Sequence, residues 1–197
     1  MSRIIVFGSS DTYGAGLSDI GSRTDHPSEF AWPSLLSKKL NVEVVNNAIP
    51  GASNKEIMLS ILNCSNLKSS DLVIIVWTII GRSCMLDKNN NIHQILPQSD
   101  DYRDELFFKL YDQENIEFES KIQVSHAHLF LQKKECKFYS MTTDSNLLNS
   151  KVRLDLHAPM HQFPVYLRAD NTYDKHPGPI SHQNYANEIM DRLSKLA

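Results

Sequence analysis

The sequence predicts an α/β protein with three layers, an α/β/α sandwich in which helices cover both faces of a mostly parallel sheet. Short, continuous apolar runs recur along the chain, as expected for strands buried on both faces. Segments with helical spacing of apolar residues alternate with these runs, which favours parallel strands joined by helices. The chain has 197 residues, of which 41% are hydrophobic, so one domain with a full core is expected.

Four strands are expected. The first, RIIVF at Arg3–Phe7, is an apolar run that ends at a glycine. The third, LVIIVW at Leu72–Trp77, is the strongest, since it is wholly apolar and rich in β-branched residues. Shorter runs predict the second and fourth strands, at 42–45 and 136–141.

Helices are expected between and after the strands. Residues 28–40 have helical spacing, and Pro33 fits near the start of that helix. Ser53 or Asn54 caps the next helix, whose apolar positions include Ile57, Leu59 and Leu62.

The second half of the chain is less regular. We expect a broken helix through 105–134 and a last helix at 181–196, and we make no prediction for 142–170. Residues 82–125 are polar and irregular, so a variable insertion or cap is expected at 82–135 within a single domain, 1–197. One face of the last helix carries Tyr185, Ile189, Met190 and Leu193.

Composition excludes several classes of protein. The net charge of -3 and the isoelectric point near 6.2 predict no binding to nucleic acid or to anionic membranes. No apolar run approaches the roughly 18 residues that span a bilayer, and no signal peptide precedes the first strand, so we expect a cytoplasmic protein. The three cysteines, Cys64, Cys84 and Cys136, form no CxxC pair and are expected to be free thiols.

Histidine spacing predicts no metal site. His126 and His128 would share a face only on a strand. His157 and His161 have helical spacing, but Pro159 lies between them.

Glycines follow the first strand, as they do in many nucleotide-binding proteins. Their spacing, however, does not match a nucleotide-binding motif. Gly14, Gly16 and Gly21 match neither GxGxxG nor the P-loop pattern. The lipase-type GxSxG elbow also fails, because Thr12 stands two places after Ser10.

A carboxylate and an imidazole lie close together in DNTYDKHPGPISH, just before the last helix. Asp174 and His176 are two residues apart, and such a carboxylate can fix the tautomer of the ring. Ligands of parallel sheets bind beyond the carboxyl ends of the strands. The loops GSSDTYGAG, NNAIPGASN and TIIGRS are expected to gather there.

These segments resemble the conserved blocks of the SGNH (GDSL-type) hydrolases. FGSSDTYGAG is similar to the first block, NNAIPGASN to the second and DKHPG to the last, in the expected order over residues 4–186. The flanking AWPSLLSKKL and GASNKEI resemble compact members common in phage and related bacterial genomes. The resemblance implies a flavodoxin-like sheet and an esterase activity that needs no metal or cofactor.

Roles follow residue by residue from the resemblance. Ser10 matches the nucleophile, His176 the general base and Asp174 its orienting acid. The backbone N–H groups of Ser10 and Gly51 match two oxyanion donors. Ser9 is interpreted as a turn residue.

The chain departs from the family pattern in two places. The usual D-x-x-H is shortened to D-x-H, with Tyr173 at the more usual Asp position. Ile80 stands where the family has an Asn that supplies the third oxyanion donor. Three residues could replace that amide or contact substrate: Asn54, Thr78 and Arg82.

Two functions are therefore expected from the residues. The first is a serine esterase that cleaves a small ester, such as an O-acetyl or short acyl group on a glycan or lipid. The alternative is a catalytically weak or inactive protein of the same fold that acts in binding or assembly, because of Ile80. His182 is interpreted as structural, Asp11 as a loop residue, and Trp32 and Trp77 as packing groups.

Overall fold

The structure, a computed structural model, describes residues 2–20, 25–89, 91–97, 100–148, 156–157 and 176–194. Within that part of the chain, a sheet of five parallel strands has the order β2-β1-β3-β6-β7. An antiparallel hairpin, β4–β5, lies apart from it. The strands are β1 Arg3–Phe7, β2 Glu43–Asn46, β3 Leu72–Trp77, β4 Ser83–Leu86, β5 Ile92–Ile95, β6 Lys137–Thr142 and β7 Leu156–His157.

Helices lie on both faces of the five-stranded sheet, which confirms the predicted three-layer fold. The helices are α1 Ser10–Tyr13, α2 Trp32–Leu40, α3 Asn54–Leu62, α4 Tyr102–Leu110, α5 Gln113–Lys133, α6 Ser145–Leu148 and α7 Pro179–Ser194. Helix α2 packs against α7, and α3 packs against α5.

Alternation along the central strands divides the core into two parts. Ile5 and Phe7 of β1 pack in one cluster with α3 and α5. Ile4 and Val6 face the other side and pack with α2 and α7. Each such side chain is fully buried, which contributes about 1.5–3 kcal/mol to folding. Trp32 and Trp77 are also fully buried, in agreement with their interpretation as packing groups.

Residues 82–125 are more regular than the sequence predicts. They hold the β4–β5 hairpin, α4 and the first half of α5. The expected break in the long helix falls at Tyr111 and Asp112, and the Asp112 carboxylate caps α5 by accepting from the Asn115 N–H at 2.8 Å. The hairpin strands are short and partly polar, so their pairing depends on contacts with α3 rather than on an apolar run.

Helix α5 is part of the main core. Its buried side chains Val124, Ala127 and Leu131 belong to the same cluster as β1 and β3. The variable insertion or cap at 82–135 stays a prediction. Helix α5, which lies within that range, contributes side chains to the central core. The last strand, β7, falls in the segment for which the sequence supports no prediction.

The amino ends of β1 and β3 are joined by a buried carboxylate. Asp71 accepts hydrogen bonds from Arg3 Nη2 at 3.0 Å, from the Lys68 N–H at 2.9 Å and from Ser2 Oγ at 3.1 Å. Burial raises the pKa of Asp71, but the hydrogen bonds from Arg3, Lys68 and Ser2 outweigh it and the net pKa is lowered. At this end of the sheet, the buried negative charge of Asp71 is therefore stabilised by several hydrogen bonds.

Candidate functional site

Ser10 lies on the sharp turn between β1 and α1. Ser9 precedes the helix, and its carbonyl accepts from the N–H groups of Thr12 at 3.0 Å and Tyr13 at 2.9 Å. Ser10 is therefore the first helical residue, at the carboxyl edge of the sheet, with 5% of its surface exposed. Asp11, interpreted as a loop residue, instead lies in the first turn of α1 and is buried.

The turn requires a glycine at position 8. A Cβ atom on Gly8 would lie 2.4 Å from Thr12 Oγ1, which is closer than real contacts allow. The Gly8 carbonyl also accepts from the Ile49 N–H at 3.1 Å, and this bond attaches the loop after β2 to the Ser10 turn.

The loop after β2 is held over the same edge by Asn46. The Asn46 side chain donates to the Thr12 carbonyl at 2.9 Å and accepts from the Ala48 N–H at 3.1 Å. Gly51 follows in a left-handed conformation with φ 77°, which favours glycine. Within the described part of the chain, the N–H groups of Ser10 and Gly51 donate to no acceptor. Both backbone donors are therefore without an acceptor among the described residues.

Gln94 of β5, which the sequence analysis missed, packs against this loop. Its amide donates to the Pro50 carbonyl at 2.9 Å and to Glu56 Oε1 at 3.2 Å. A Cβ atom on Gly51 would lie 2.5 Å from Gln94 Oε1. The sequence holds no signal for this contact, because a single glutamine in a short polar strand matches no motif.

Asn54 is engaged with the end of β3. Its side-chain amide donates to the Thr78 carbonyl at 3.2 Å, and its side-chain oxygen accepts from the Thr78 N–H at 2.9 Å. Asn54 is fully buried at the start of α3, where Ser53 supplies the cap through a capping box with Glu56. The Asn54 amide therefore holds backbone together and does not face a substrate.

Ile80 cannot replace the missing amide. Its side chain is buried in the core cluster beside α3 and α5. Its N–H donates to Asp144 Oδ2 at 2.8 Å, so its backbone donor is also occupied.

Arg82 is the remaining polar candidate. Its guanidinium is half-buried and donates to Thr78 Oγ1 at 3.2 Å, so the structure brings these two predicted residues together. Burial lowers the pKa of Arg82, and the negative charges of Asp11 and Glu56 oppose that shift. Neither carboxylate is close enough for an ion pair, and most of the N–H groups of Arg82 keep no partner among the described residues.

His176 precedes a buried turn that leads into α7. His176 is half-buried, Pro177 and Gly178 are buried, and α7 begins at Pro179. Asp174 lies outside the described residues.

His182 anchors this turn from the first turn of α7. Its N–H donates to the Gly178 carbonyl at 3.2 Å, and its ring Nδ1 accepts from the Trp32 N–H at 3.1 Å. The ring is fully buried, and among the described residues its Nε2 forms no hydrogen bond of good geometry. These contacts agree with the structural role interpreted from the sequence.

The pKa of His182 is lowered to about 4. Burial is the main cause and nearby His176 adds to it, whereas Asp11, Asp19 and the Pro177 carbonyl oppose the shift. The ring is therefore neutral at pH 7, with its proton on Nε2, because Nδ1 is an acceptor. Its interaction with both His176 and Asp11 places the C-terminal turn near the Ser10 turn.

The structure shows no metal-ion cluster and no membrane-spanning helix in the part of the chain that it describes. His126 is exposed and His128 is buried on the same helix, so they do not converge. The Cys64, Cys84 and Cys136 thiols are free. His161 lies outside the described residues.

Comparison with known proteins gives structural matches alone. No protein-family model and no curated protein matches the chain. A carbohydrate esterase, whose active site has been described as having divergent catalytic and non-catalytic binding functions, matches with a TM-score of 0.55 and 14% identity. The match covers 98% of this chain and 65% of that one.

Two further structures match over nearly their whole length. TesA has a TM-score of 0.58 at 13% identity, and 99% of each chain is covered. A member of the lipolytic G-D-S-L family from Veillonella parvula has a TM-score of 0.50 at 13% identity, with 96% of each chain covered. Such identities establish architecture and not activity. Together with the parallel sheet and the strand-to-helix turn at Ser10, they show that the chain has the fold of the SGNH (GDSL-type) hydrolases.

Proposed function

We propose that this chain is a serine esterase of the SGNH type that hydrolyses a small ester. The observation that carries the proposal is the Ser10 turn, which places a hydroxyl at the carboxyl edge of the sheet, and the N–H groups of Ser10 and Gly51 have no acceptor among the described residues. That arrangement suits acyl transfer, which needs a nucleophile and donors for a developing oxyanion. The match to a carbohydrate esterase supports an O-acetyl or short acyl group on a glycan as substrate; a lipid ester is the other candidate.

The proposed reaction has two steps. The Ser10 hydroxyl attacks the ester carbonyl while His176 takes its proton, and the alcohol leaves with that proton. Water then attacks the acyl-enzyme, with His176 again as base, and the acid is released. Asp174 orients the His176 ring, and the N–H groups of Ser10 and Gly51 stabilise the tetrahedral oxyanion in both steps.

Arg82 is proposed as the third donor or as a contact to substrate, in place of the family's Asn. Of the three candidates, Asn54 has both side-chain groups occupied, and the Thr78 hydroxyl already accepts from Arg82. Loss of one oxyanion donor costs about 10²–10³ in turnover. Arg82→Met is expected to lower kcat in that range, whereas Arg103→Met, at an exposed arginine paired with Asp101, leaves kcat unchanged.

The central experiment measures hydrolysis of short p-nitrophenyl esters and acetylated glycans. Ser10→Ala and His176→Ala are expected to abolish activity, and Ser9→Ala serves as the matched control because Ser9 supports the turn through its backbone carbonyl and its side chain makes no capping bond. A fluorophosphonate probe is expected to label Ser10. Activity that persists in Ser10→Ala would contradict the proposed nucleophile.

A second candidate is a protein of this fold that binds without turnover. The buried Ile80 side chain, which stands where the family has its oxyanion Asn, favours it. A protein that binds acetylated glycans but neither hydrolyses them nor reacts with the fluorophosphonate would support this candidate over the esterase.

A further inference from the structure

Helix α5 has apolar side chains on two opposite faces. One face packs into the core through residues such as Val124 and Leu131. On the other face, Phe118, Ile122 and Leu129 are 62%, 50% and 64% exposed. Large apolar side chains that line one side of a helix and remain in solvent often mark an interaction surface.

These side chains form one continuous strip. The strip, called here the outer face of α5, is Glu114, Phe118, Ile122, Ser125, Leu129 and Lys133. Spacings of four, four, three, four and four residues keep all six within about 100° of arc on a helix of 3.6 residues per turn. The buried positions of α5 lie on the opposite side, so the outer face is not used by this chain's own core.

Charge is distributed unevenly along the outer face. Its two charged residues lie at opposite ends, with Glu114 at the N-terminal end and Lys133 at the C-terminal end. A parallel neighbour would set like charges against each other, whereas an antiparallel copy would set acid against base. The distribution therefore favours a second copy of the same helix related by a two-fold axis.

We propose that the outer face of α5 is the interface of an antiparallel homodimer. In the register that aligns the strip with itself, Phe118 lies over Leu129 of the second copy and Ile122 over Ser125. Glu114 then faces Lys133 at each end. Every contact occurs twice, as a two-fold interface requires.

The one polar side chain at the centre of the strip is compatible with burial there. Ser125 Oγ donates to the Lys121 carbonyl at 2.8 Å on its own helix, so its hydroxyl already has a partner. Covering it with Ile122 of a second copy would leave no donor unsatisfied.

The test is sedimentation of the full chain over a wide range of concentrations. A reversible monomer–dimer equilibrium is expected, and Phe118→Glu is expected to raise its dissociation constant by at least about tenfold. Leu110→Glu is the matched control, because Leu110 is 72% exposed on α4 and lies outside the strip. Circular dichroism checks that each variant is folded.

Charge reversal tests the orientation. Glu114→Lys or Lys133→Glu alone is expected to weaken the dimer, and the two together in one chain are expected to restore it. A chain that is monomeric throughout, a dimer as sensitive to Leu110→Glu as to Phe118→Glu, or a double variant weaker than both single variants would overturn the proposal. A monomer that co-sediments with lipid vesicles of phosphatidylcholine and phosphatidylglycerol would likewise overturn it, and would assign the strip to a membrane surface.

Discussion

Buried polar groups are hydrogen-bonded differently at the two ends of the central sheet. At the amino end, the Asp71 carboxylate receives hydrogen bonds from Arg3, Ser2 and Lys68. At the carboxyl end, four buried polar atoms have no hydrogen-bond partner among the residues that the structure describes: Thr12 Oγ1, Tyr13 OH, Trp32 Nε1 and His182 Nε2.

Unpaired buried polar atoms cost folding free energy, and native proteins have few of them. Here they collect around the turn that holds Ser10 and around the helix that follows His176. The hydrogen bonds of Asp71 at the amino end therefore stabilise the fold, whereas the unpaired polar atoms at the carboxyl end lower the free energy of unfolding. Removing a hydrogen-bonded group is therefore expected to destabilise the fold at either end, whereas removing an unpaired polar atom at the carboxyl end is expected to stabilise it.

The largest effect is expected at the amino end. Asp71→Ala leaves the Lys68 N–H and the Arg3 guanidinium without their acceptor, and is expected to lower the free energy of unfolding by about 3 kcal/mol. Urea denaturation measures this loss. Because Asp71 is at the far edge of the sheet from Ser10, the turnover of folded protein is expected to stay near the wild-type value. A variant as stable as the wild type would contradict the description of this end as a stabilising network.

The pH dependence of stability tests the buried ring of His182. Its pKa is about 4 in the folded chain and 6.5 when exposed, so the fold favours the neutral ring. The stability linked to this ring is fully present above pH 6.5 and is lost as the pH falls from 6.5 towards 4. Between pH 7 and pH 4.5, the wild type is expected to lose about 2 kcal/mol more than His182→Gln, by denaturant unfolding at both pH values. Parallel losses in the two proteins would show that His182 does not titrate as described.

A loss of similar size is expected for Asn54→Ala. The variant removes two buried hydrogen bonds to the Thr78 backbone, which is expected to lower the free energy of unfolding by about 2 kcal/mol. Asn63→Ala, at the exposed end of the same helix, is the control. If Asn54→Ala instead kept full stability and lost turnover, its amide would belong to the substrate site.

The smallest effect has the opposite sign. Tyr13 is buried, its hydroxyl has no partner, and burial raises its pKa. Tyr13→Phe removes the unpaired hydroxyl and is expected to raise the free energy of unfolding by about 1 kcal/mol. Tyr111→Phe, at an exposed tyrosine, should change stability by less than about 0.5 kcal/mol. Destabilisation by Tyr13→Phe would mean that the carboxyl end is better paired than described.

Several parts of the fold could be predicted from the sequence because they depend on local pattern. The apolar runs at Arg3–Phe7 and Leu72–Trp77 form adjacent central strands, and the last helix buries Tyr185 and Ile189 as its spacing predicts. The β4–β5 hairpin could not be predicted, since its strands are short, partly polar and paired with each other away from the main sheet.

The candidate site also has parts that could be predicted from the sequence and parts that could not. The resemblance to the SGNH blocks assigned roles to Ser10, His176 and Asp174, and all three roles stay predictions. The sequence could not tell which polar side chain near Ile80 remains free. Asn54 and Arg82 look equally suitable in a list of residues, and only the structure shows that Asn54 is bound to the Thr78 backbone.

The sequence by itself determined the central strands β1 and β3 and the last helix, which follow from local apolar periodicity. It identified Ser10 as the candidate nucleophile only through the resemblance of its loops to the SGNH blocks. The tertiary structure decided which donors stay free, how Gln94 supports the Gly51 loop, and why His182 is held neutral. Each of these depends on contacts between residues far apart in the chain, such as His182 and Trp32, and no local pattern encodes them.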